Sequence, residues 1–395
     1  MKKSILGKVS YSVMGASLFA GLLTGCGAAG SGSGSSGDVI KIGANLELSG
    51  AVASYGQSIA QGIELGAEEI NKNGGINGKK IEIIKADNKS DAAEATNAAI
   101  KLTSQDKVAA IIGAATSGDT VAQVQIATDN KTVLLTPSGT SPNVTVGTSG
   151  KVNDFIFRTC FIDPFQGNVA ANFAAKNLNV KKAAIFADSA SDYAKGLAAS
   201  FKDTFSKDGG SVVAQESYVA KDTDFRATLT RIKAANPEFV FIPGYYEEVG
   251  LIIKQAREMG ITVPFMGGDG WDSPKLVELA GAAALNNTFI TNHYSSEDPD
   301  KTIQNFVTAF KAKYENKSPD AFNALGYDSI YLIADGIKRA GSTDGAKIKD
   351  AMAQTKDLAL VSGKITFDAQ HNPIKTATVL KYKDGKQQFE TKVNP

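Results

Sequence analysis

Short apolar runs alternate along this chain with longer stretches of helical periodicity, and that alternation restricts the fold more than any other feature. VIKIGANL (39–46) reads as a strand, and residues 55–73 then place Ile59, Ile63, Ala67 and Ile70 at helical spacing. After the turn signal GGING (74–78) come a strand, KIEIIKA (80–86), a helix over 91–105, the strand VAAIIGA (108–114), a helix over 119–129 and the strand TVLLTP (132–137). The rhythm restarts after RTCFID (158–163). It predicts a helix near 164–178, the strand KAAIFAD (182–188), a helix near 191–208, the strand SVVAQESYV (211–219), a helix over about 223–235, FVFIPG (239–244), a helix to about 259 and VPFMGG (263–268). Helical patterns at 300–314 and 321–340 follow, and KITFDAQHNPI and ATVLKYKDGKQ read as terminal strands.

Strand–helix alternation builds parallel sheets with helices on both faces. Strands that are apolar without interruption suit sheets covered on both sides. The cadences of 39–137 and 182–268 are alike, and residues 38–395 exceed what one core usually serves. The expectation is an α/β fold of two similar lobes, each a parallel sheet flanked by helices, joined by a hinge.

Residues 1–25 have the layout of a secretory leader: Lys2, Lys3 and Lys8, then an uncharged stretch around Leu18, Phe19, Leu22 and Leu23. The stretch is short for a membrane span, which needs about 20 apolar residues. Leu23-Thr24-Gly25-Cys26 resembles the lipobox of bacterial lipoproteins. That resemblance implies cleavage before Cys26, a diacylglycerol on its sulfur, and anchoring at the outer face of the cell membrane. The Ser/Gly tract up to Gly37 (26–37) would be a tether, since it has little to bury. Cys160 is then alone in the folded body, so no internal disulfide forms, and a buried small hydrophobe is its plainest reading.

Charge narrows the function classes. The chain has 42 basic and 41 acidic side chains, and loss of the leader's lysines leaves 39 against 41. No basic patch points to nucleic acid. His293 and His371 are too few and too far apart for a metal site. The folded part holds no G-x-S-x-G elbow and no G-x-G-x-x-G fingerprint. GGINGKK is not a phosphate loop, because Asn73 stands where its first glycine belongs and Lys80 where Ser or Thr belongs. No catalytic residue and no cofactor is expected.

In open parallel sheets, ligands bind beyond the carboxyl ends of the strands. After VAAIIGA comes a helix start at Ser117, whose free N–H groups and dipole suit an anion. An ordinary N-cap explains the same residues. After TVLLT comes Pro137-Ser138-Gly139-Thr140, rich in hydroxyls but also a plain turn. After FVFIP comes Gly244-Tyr245-Tyr246, and after PFMG comes Asp269 between glycines, either an ammonium partner or a turn aspartate. Anion donors in one lobe and a carboxylate in the other are what an amino-acid zwitterion needs.

LSGAVASYGQSIAQGIELGAEEINKNGGINGKKIEI (48–83) resembles the opening of the branched-chain amino acid-binding proteins, the Leu/Ile/Val receptors of ATP-driven importers. The likeness runs on through IIGAATSGDT, LLTPSGTSP, IFRTCFIDPFQG, FIPGYYEEVG, QAREMGITVPFMGGDG and AFNALGYDSIYL, over nearly all the folded chain. The resemblance implies the type I periplasmic-binding-protein fold, with a first lobe of 38–159 and about 293–365, a second of 160–292 and about 366–395, and a hinge that includes crossings near Thr159–Phe161 and Thr291–His293. It implies capture of a free amino acid for a permease with cytoplasmic ATPases, by a monomer. It implies that Ser117 binds the ligand carboxylate, that Ser138 offers its backbone, and that Thr140 grips the head group. Tyr245 and Asp269 serve the second lobe, Asp269 standing where the family's glutamate meets the ammonium. Tyr55, Tyr193 and Phe322 match pocket-wall positions. Ser90 and Thr116 stand where members from outer-membrane bacteria carry a disulfide. Another small amino acid, an amide or urea remains an alternative ligand, and an extracellular α/β enzyme an alternative class.

Overall fold

In a computed structural model that describes residues 39–394, two separate sheets carry the fold. The leader, Cys26 and the Ser/Gly tract lie outside the described residues. The first sheet is built from β1 (Ile40–Leu46), β2 (Ile81–Asp87), β3 (Ala110–Gly113), β4 (Val133–Thr136) and β5 (Ile156–Arg158). Between them run α1 (Ala53–Lys72), α2 (Ala92–Ile100) and α3 (Ser117–Asp129). The strands lie in the order β2-β1-β3-β4-β5 and are all parallel. Every residue of β3 and β4 is buried, as a sheet covered on both faces requires.

The chain enters the second sheet after Arg158. There α4 (Asp163–Asn172), β6 (Lys182–Asp188), α5 (Asp192–Lys207), β7 (Ser211–Tyr218), α6 (Arg226–Ala234), β8 (Phe239–Phe241), α7 (Tyr246–Glu258), β9 (Phe265–Gly267), α8 (Pro274–Ala280) and β10 (Thr288–Asn292) follow in turn. Next come α9 (Lys301–Lys313), α10 (Ala321–Ala340) and α11 (Gly345–Ala353), with a two-stranded ribbon of β11 (Leu358–Leu360) and β12 (Gly363–Ile365). The chain then rejoins the second sheet as β13 (Ala377–Lys383) and β14 (Lys386–Val393), giving the order β14-β13-β10-β9-β8-β6-β7.

Two features depart from the sequence reading. The second sheet is not wholly parallel, because β13 pairs antiparallel with β10 and β14 with β13. The connection between β13 and β14 is only Asp384-Gly385, both at positive φ, and so tight a turn permits only an antiparallel pair. The stretch KITFDAQHNPI is mostly loop. Asp368 accepts from the N–H groups of Gln370 and Asn372, and this side-chain turn competes with a ladder. β5, β10, β11, α8 and α11 are additions to the sequence reading.

α10 returns to lie on α1, far from it in sequence. Glycine allows the approach: a Cβ on Gly62 would stand 2.0 Å from the Asn323 carbonyl oxygen, and one on Gly326 2.3 Å from that of Ile59. In the first sheet β1 has β2 on one side and β3 on the other, so the chain passes from β1 to β2 and then crosses back over β1 to β3; in the second sheet β6, β7 and β8 repeat the pattern. At such reversals helices splay and a crevice opens beyond the strands' carboxyl ends.

Candidate functional site

Thr116 caps α3, its hydroxyl accepting from the Asp119 N–H at 3.2 Å. The N–H groups of Ser117 and Gly118 are thereby left outside the helix's own ladder. Ser117 Oγ accepts from the Ser141 N–H at 3.1 Å, which keeps its own proton available to donate. Ser138 is oriented differently: its hydroxyl donates to the Ala115 carbonyl at 2.8 Å. Behind this rim sits Arg158, fully buried. Its guanidinium donates to the carbonyls of Gly139 at 2.7 Å and Ser141 at 2.9 Å, and to the Thr145 hydroxyl at 3.0 Å. By tying those carbonyls back, Arg158 fixes the loop that carries Ser138 and Thr140. Glu47, just past β1, accepts from the N–H groups of Ala115 at 2.9 Å and Thr116 at 3.0 Å. Burial and the nearby Asp119 push its carboxyl up to about 8.

The opposite rim is centred on Asp269, in a short 3₁₀ turn directly after β9. Its Oδ1 accepts from Gln166 Nε2 at 3.0 Å and from the Tyr193 hydroxyl at 2.9 Å. Its Oδ2 lies 3.0 Å from His293 Nε2. Gln166 also returns its carbonyl oxygen to the Asp269 N–H at 2.7 Å. Burial holds the His293 imidazole below its ordinary value. Burial, with the Asp269 and Asp163 charges, pushes the Tyr193 phenol well above its own. Both side chains are therefore neutral at neutral pH. Among the described residues, no lysine or arginine nitrogen lies within 4.0 Å of the Asp269 carboxylate.

Tyr55, Ala115, Thr116, Ser117, Ser138, Tyr193, Tyr245, Asp269, Gly270 and Phe322 line one small cleft between the rims. Seven of the eight residues named from the sequence thus meet in one cleft. Thr140 lies behind them, fully buried beside Asp163. The aromatic wall is continuous: Tyr55 stacks on Phe322 at 4.3 Å, Tyr193 stacks on Tyr245 at 5.2 Å, and Tyr55 meets Tyr245 edge-on at 5.9 Å. The cleft offers N–H and hydroxyl donors at one end, a carboxylate at the other, and aromatic walls between.

Comparison with known proteins places this geometry. The family described as periplasmic binding protein matches residues 39–387. The chain belongs to that family. A protein of Brucella melitensis, "Leu/Ile/Val-binding protein homolog 3", is 32% identical over 349 residues, 88% of this chain and 92% of its own. The substrate-binding protein LivJ of the Streptococcus pneumoniae branched-chain amino acid transporter, solved in complex with isoleucine, is 41% identical with a TM-score of 0.85, over 91% of this chain and 100% of its own. The leucine binding protein LivK of Thermotoga maritima is 37% identical with a TM-score of 0.85, over 90% and 99%. The type I periplasmic-binding-protein fold is therefore the fold of this chain, and its relatives are solute-binding proteins rather than enzymes.

Sequence reasoning missed the supporting residues of this binding-protein cleft. His293 directly follows β10, a strand absent from the sequence reading, so the strand-end rule that singled out Asp269 could not reach it. Gln166 and Arg158 carry no local signal, because their partners lie 103 and 13–19 residues away. Glu47 follows β1 and was open to the strand-end rule. Cys160 is buried and free, and burial pushes its thiol up to about 12. Trp271 is also buried, its indole N–H donating to the Ile242 carbonyl at 3.0 Å.

Proposed function

We propose that this chain is an extracytoplasmic binding protein that captures a free aliphatic amino acid, leucine, isoleucine or valine, between two closing lobes and delivers it to an ATP-driven importer. One observation carries the reading: a buried carboxylate, Asp269, held by neutral donors, stands across a small aromatic cleft from a helix start. The ligand carboxylate is received by Ser117, the α3 N-terminus and the backbone at Ser138, with Thr140 supporting that loop. The ammonium is received by Asp269, with Tyr245 beside it. Hydrogen bonds to charged groups are each worth about 1.5–3 kcal/mol. Tyr55, Tyr193 and Phe322 set the size of the aliphatic side chain. One methylene is worth only about 1–3 kcal/mol of discrimination, so several aliphatic amino acids bind.

The first lobe consists of 38–159 and about 293–365, the second of 160–292 and about 366–395, and they close as hinged bodies. Cys26 carries the lipid anchor and residues 27–37 form its tether. The names of the Brucella, Streptococcus and Thermotoga relatives support the ligand class. The test is a thermal-shift screen of the soluble domain, from Asp38 onward, against all twenty amino acids and urea. Ligand that binds only the folded state raises the melting temperature by mass action. Leucine, isoleucine or valine should give the largest shifts; a larger shift with glutamate, lysine or urea, and none with the aliphatics, overturns the assignment.

A further inference from the structure

Asn292 and His293 are neighbours at the end of β10, where the chain leaves the second sheet, and each grips one end of the turn 269–272. Asn292 Nδ2 donates to Asp272 Oδ2 at 2.9 Å, and that oxygen also accepts from the Ala321 N–H, at the start of α10, at 2.8 Å. His293 Nε2 lies 3.0 Å from Asp269 Oδ2. The imidazole stacks on Phe161, with centroids 3.8 Å apart and planes 23° from parallel, and Phe161 belongs to the other crossing between the sheets. The Asp269 turn is thus held by one crossing and braced through His293 against a second.

The two oxygens of Asp269 are not equivalent. Among the described residues, Oδ1 takes two donors, Gln166 and Tyr193, whereas Oδ2 takes His293 alone and keeps a lone pair for a further donor. A neutral imidazole has one N–H. Given to Oδ2, it fixes the carboxylate's rotation without cancelling its charge. A lysine or arginine in the same place would fix the rotation and also compete with a ligand cation.

We infer that His293 is a positioning residue: it holds the Asp269 carboxylate at the angle at which Oδ2 meets a ligand ammonium, and so ties ammonium recognition to the crossing that carries it. The inference rests on the proposed role of Asp269. His293 does not touch the ligand, and its effect passes through Asp269.

Calorimetric titration with L-leucine tests this in His293→Leu and His293→Gln, each made in the natural chain and in Asp269→Asn. Loss of one hydrogen bond to a charged group predicts roughly 10- to 100-fold weaker binding in His293→Leu. His293→Gln, which keeps an N–H near the same place, should stay within about threefold of the natural protein. In the Asp269→Asn background His293→Leu should cost about twofold or less, because two changes acting through one contact do not add. Should the leucine variant not fold, His293→Asn, whose amide falls short of Asp269, takes its place with the same expectation. Full affinity in His293→Leu overturns the inference. So does an equal loss in His293→Gln, or the same loss in both backgrounds. Absence of leucine binding by the natural protein is a separate result and overturns the ligand reading itself.

Discussion

The phenol of Tyr55, on α1 against the first sheet, donates to the carbonyl of Gly270, the residue after Asp269 at the end of β9. The same oxygen accepts from the Tyr246 N–H at 3.3 Å, so one side chain joins the first sheet's layer to two strand ends of the second. Tyr55→Phe removes both bonds and leaves the ring stacked on Phe322. Each neutral hydrogen bond contributes about 0.5–1.5 kcal/mol, so loss of the two should lower ligand affinity by roughly 5- to 150-fold. Calorimetry reads this loss, and scattering of the liganded protein should show a less compact particle. Unchanged affinity and radius would mean that the bridge does not stabilise closure.

Asp269→Ala should abolish binding at micromolar ligand. It leaves a desolvated ammonium without its counter-charge, and breaking such a pair costs on the order of 2–5 kcal/mol. Asp269→Asn should be intermediate, keeping an acceptor but no charge. Both proteins should remain folded when unliganded. A turn aspartate predicts the opposite pattern, full affinity with some loss of stability, and near-natural affinity in Asp269→Ala would falsify the assignment.

Glu47 gives a pH dependence with a definite sign. Its carboxyl is raised from an ordinary 4.5 to about 8, by burial first and by Asp119 second. The folded protein therefore binds more protons than the unfolded chain between these values, and stability falls as pH rises from about 4.5 toward 8. Asp119 is itself raised by burial and acts in the same direction. Asp119→Asn should flatten this decline, because it removes a neighbouring negative charge. Denaturant midpoints at pH 5, 6, 7 and 8 check it, and an unchanged slope in the variant would rule out the coupling.

Gly62→Ala tests the contact between α1 and α10. Its new Cβ would stand 2.0 Å from backbone oxygen, which cannot rotate away. Overpacking of this kind costs about 1–3 kcal/mol and should lower the melting temperature by several degrees. Gly118→Ala is the control, since its Cβ would meet nothing within 4 Å. Equal melting temperatures in the two variants would show that the helix pair yields easily.

Cys26→Ala should leave the protein unprocessed or released from the membrane, because the thiol that takes the lipid is gone. Labelling cells with radioactive palmitate measures this. Equal label in variant and natural protein would exclude lipid attachment at that position.

The alternation of strands and helices was legible because it is local. Apolar residues recur every second or every third to fourth position whatever the chain does elsewhere, and β1, β6, α5 and α10 lie within a residue or two of their predicted limits. The strand-end rule was also local, and it pointed to Ser117, Ser138, Tyr245 and Asp269, which do share one cleft. The sequence reading expected about 366–395 in the second lobe, but not the antiparallel pairing of β13 with β10, because the two strands are separated by three helices and a ribbon.

What the sequence determined by itself is most of the elements and the chemistry placed at their ends: a helix start with hydroxyls in one half of the chain, a carboxylate between glycines in the other. The tertiary structure decided how each of these groups is held. Gln166, Tyr193 and His293 come from α4, α5 and the end of β10 to share the two oxygens of Asp269, and Arg158 reaches back to the carbonyls of Gly139 and Ser141. Periodicity carries no record of such partners. A hydrogen bond constrains distance and angle between two side chains, and only the packing of whole layers brings them to about 3 Å.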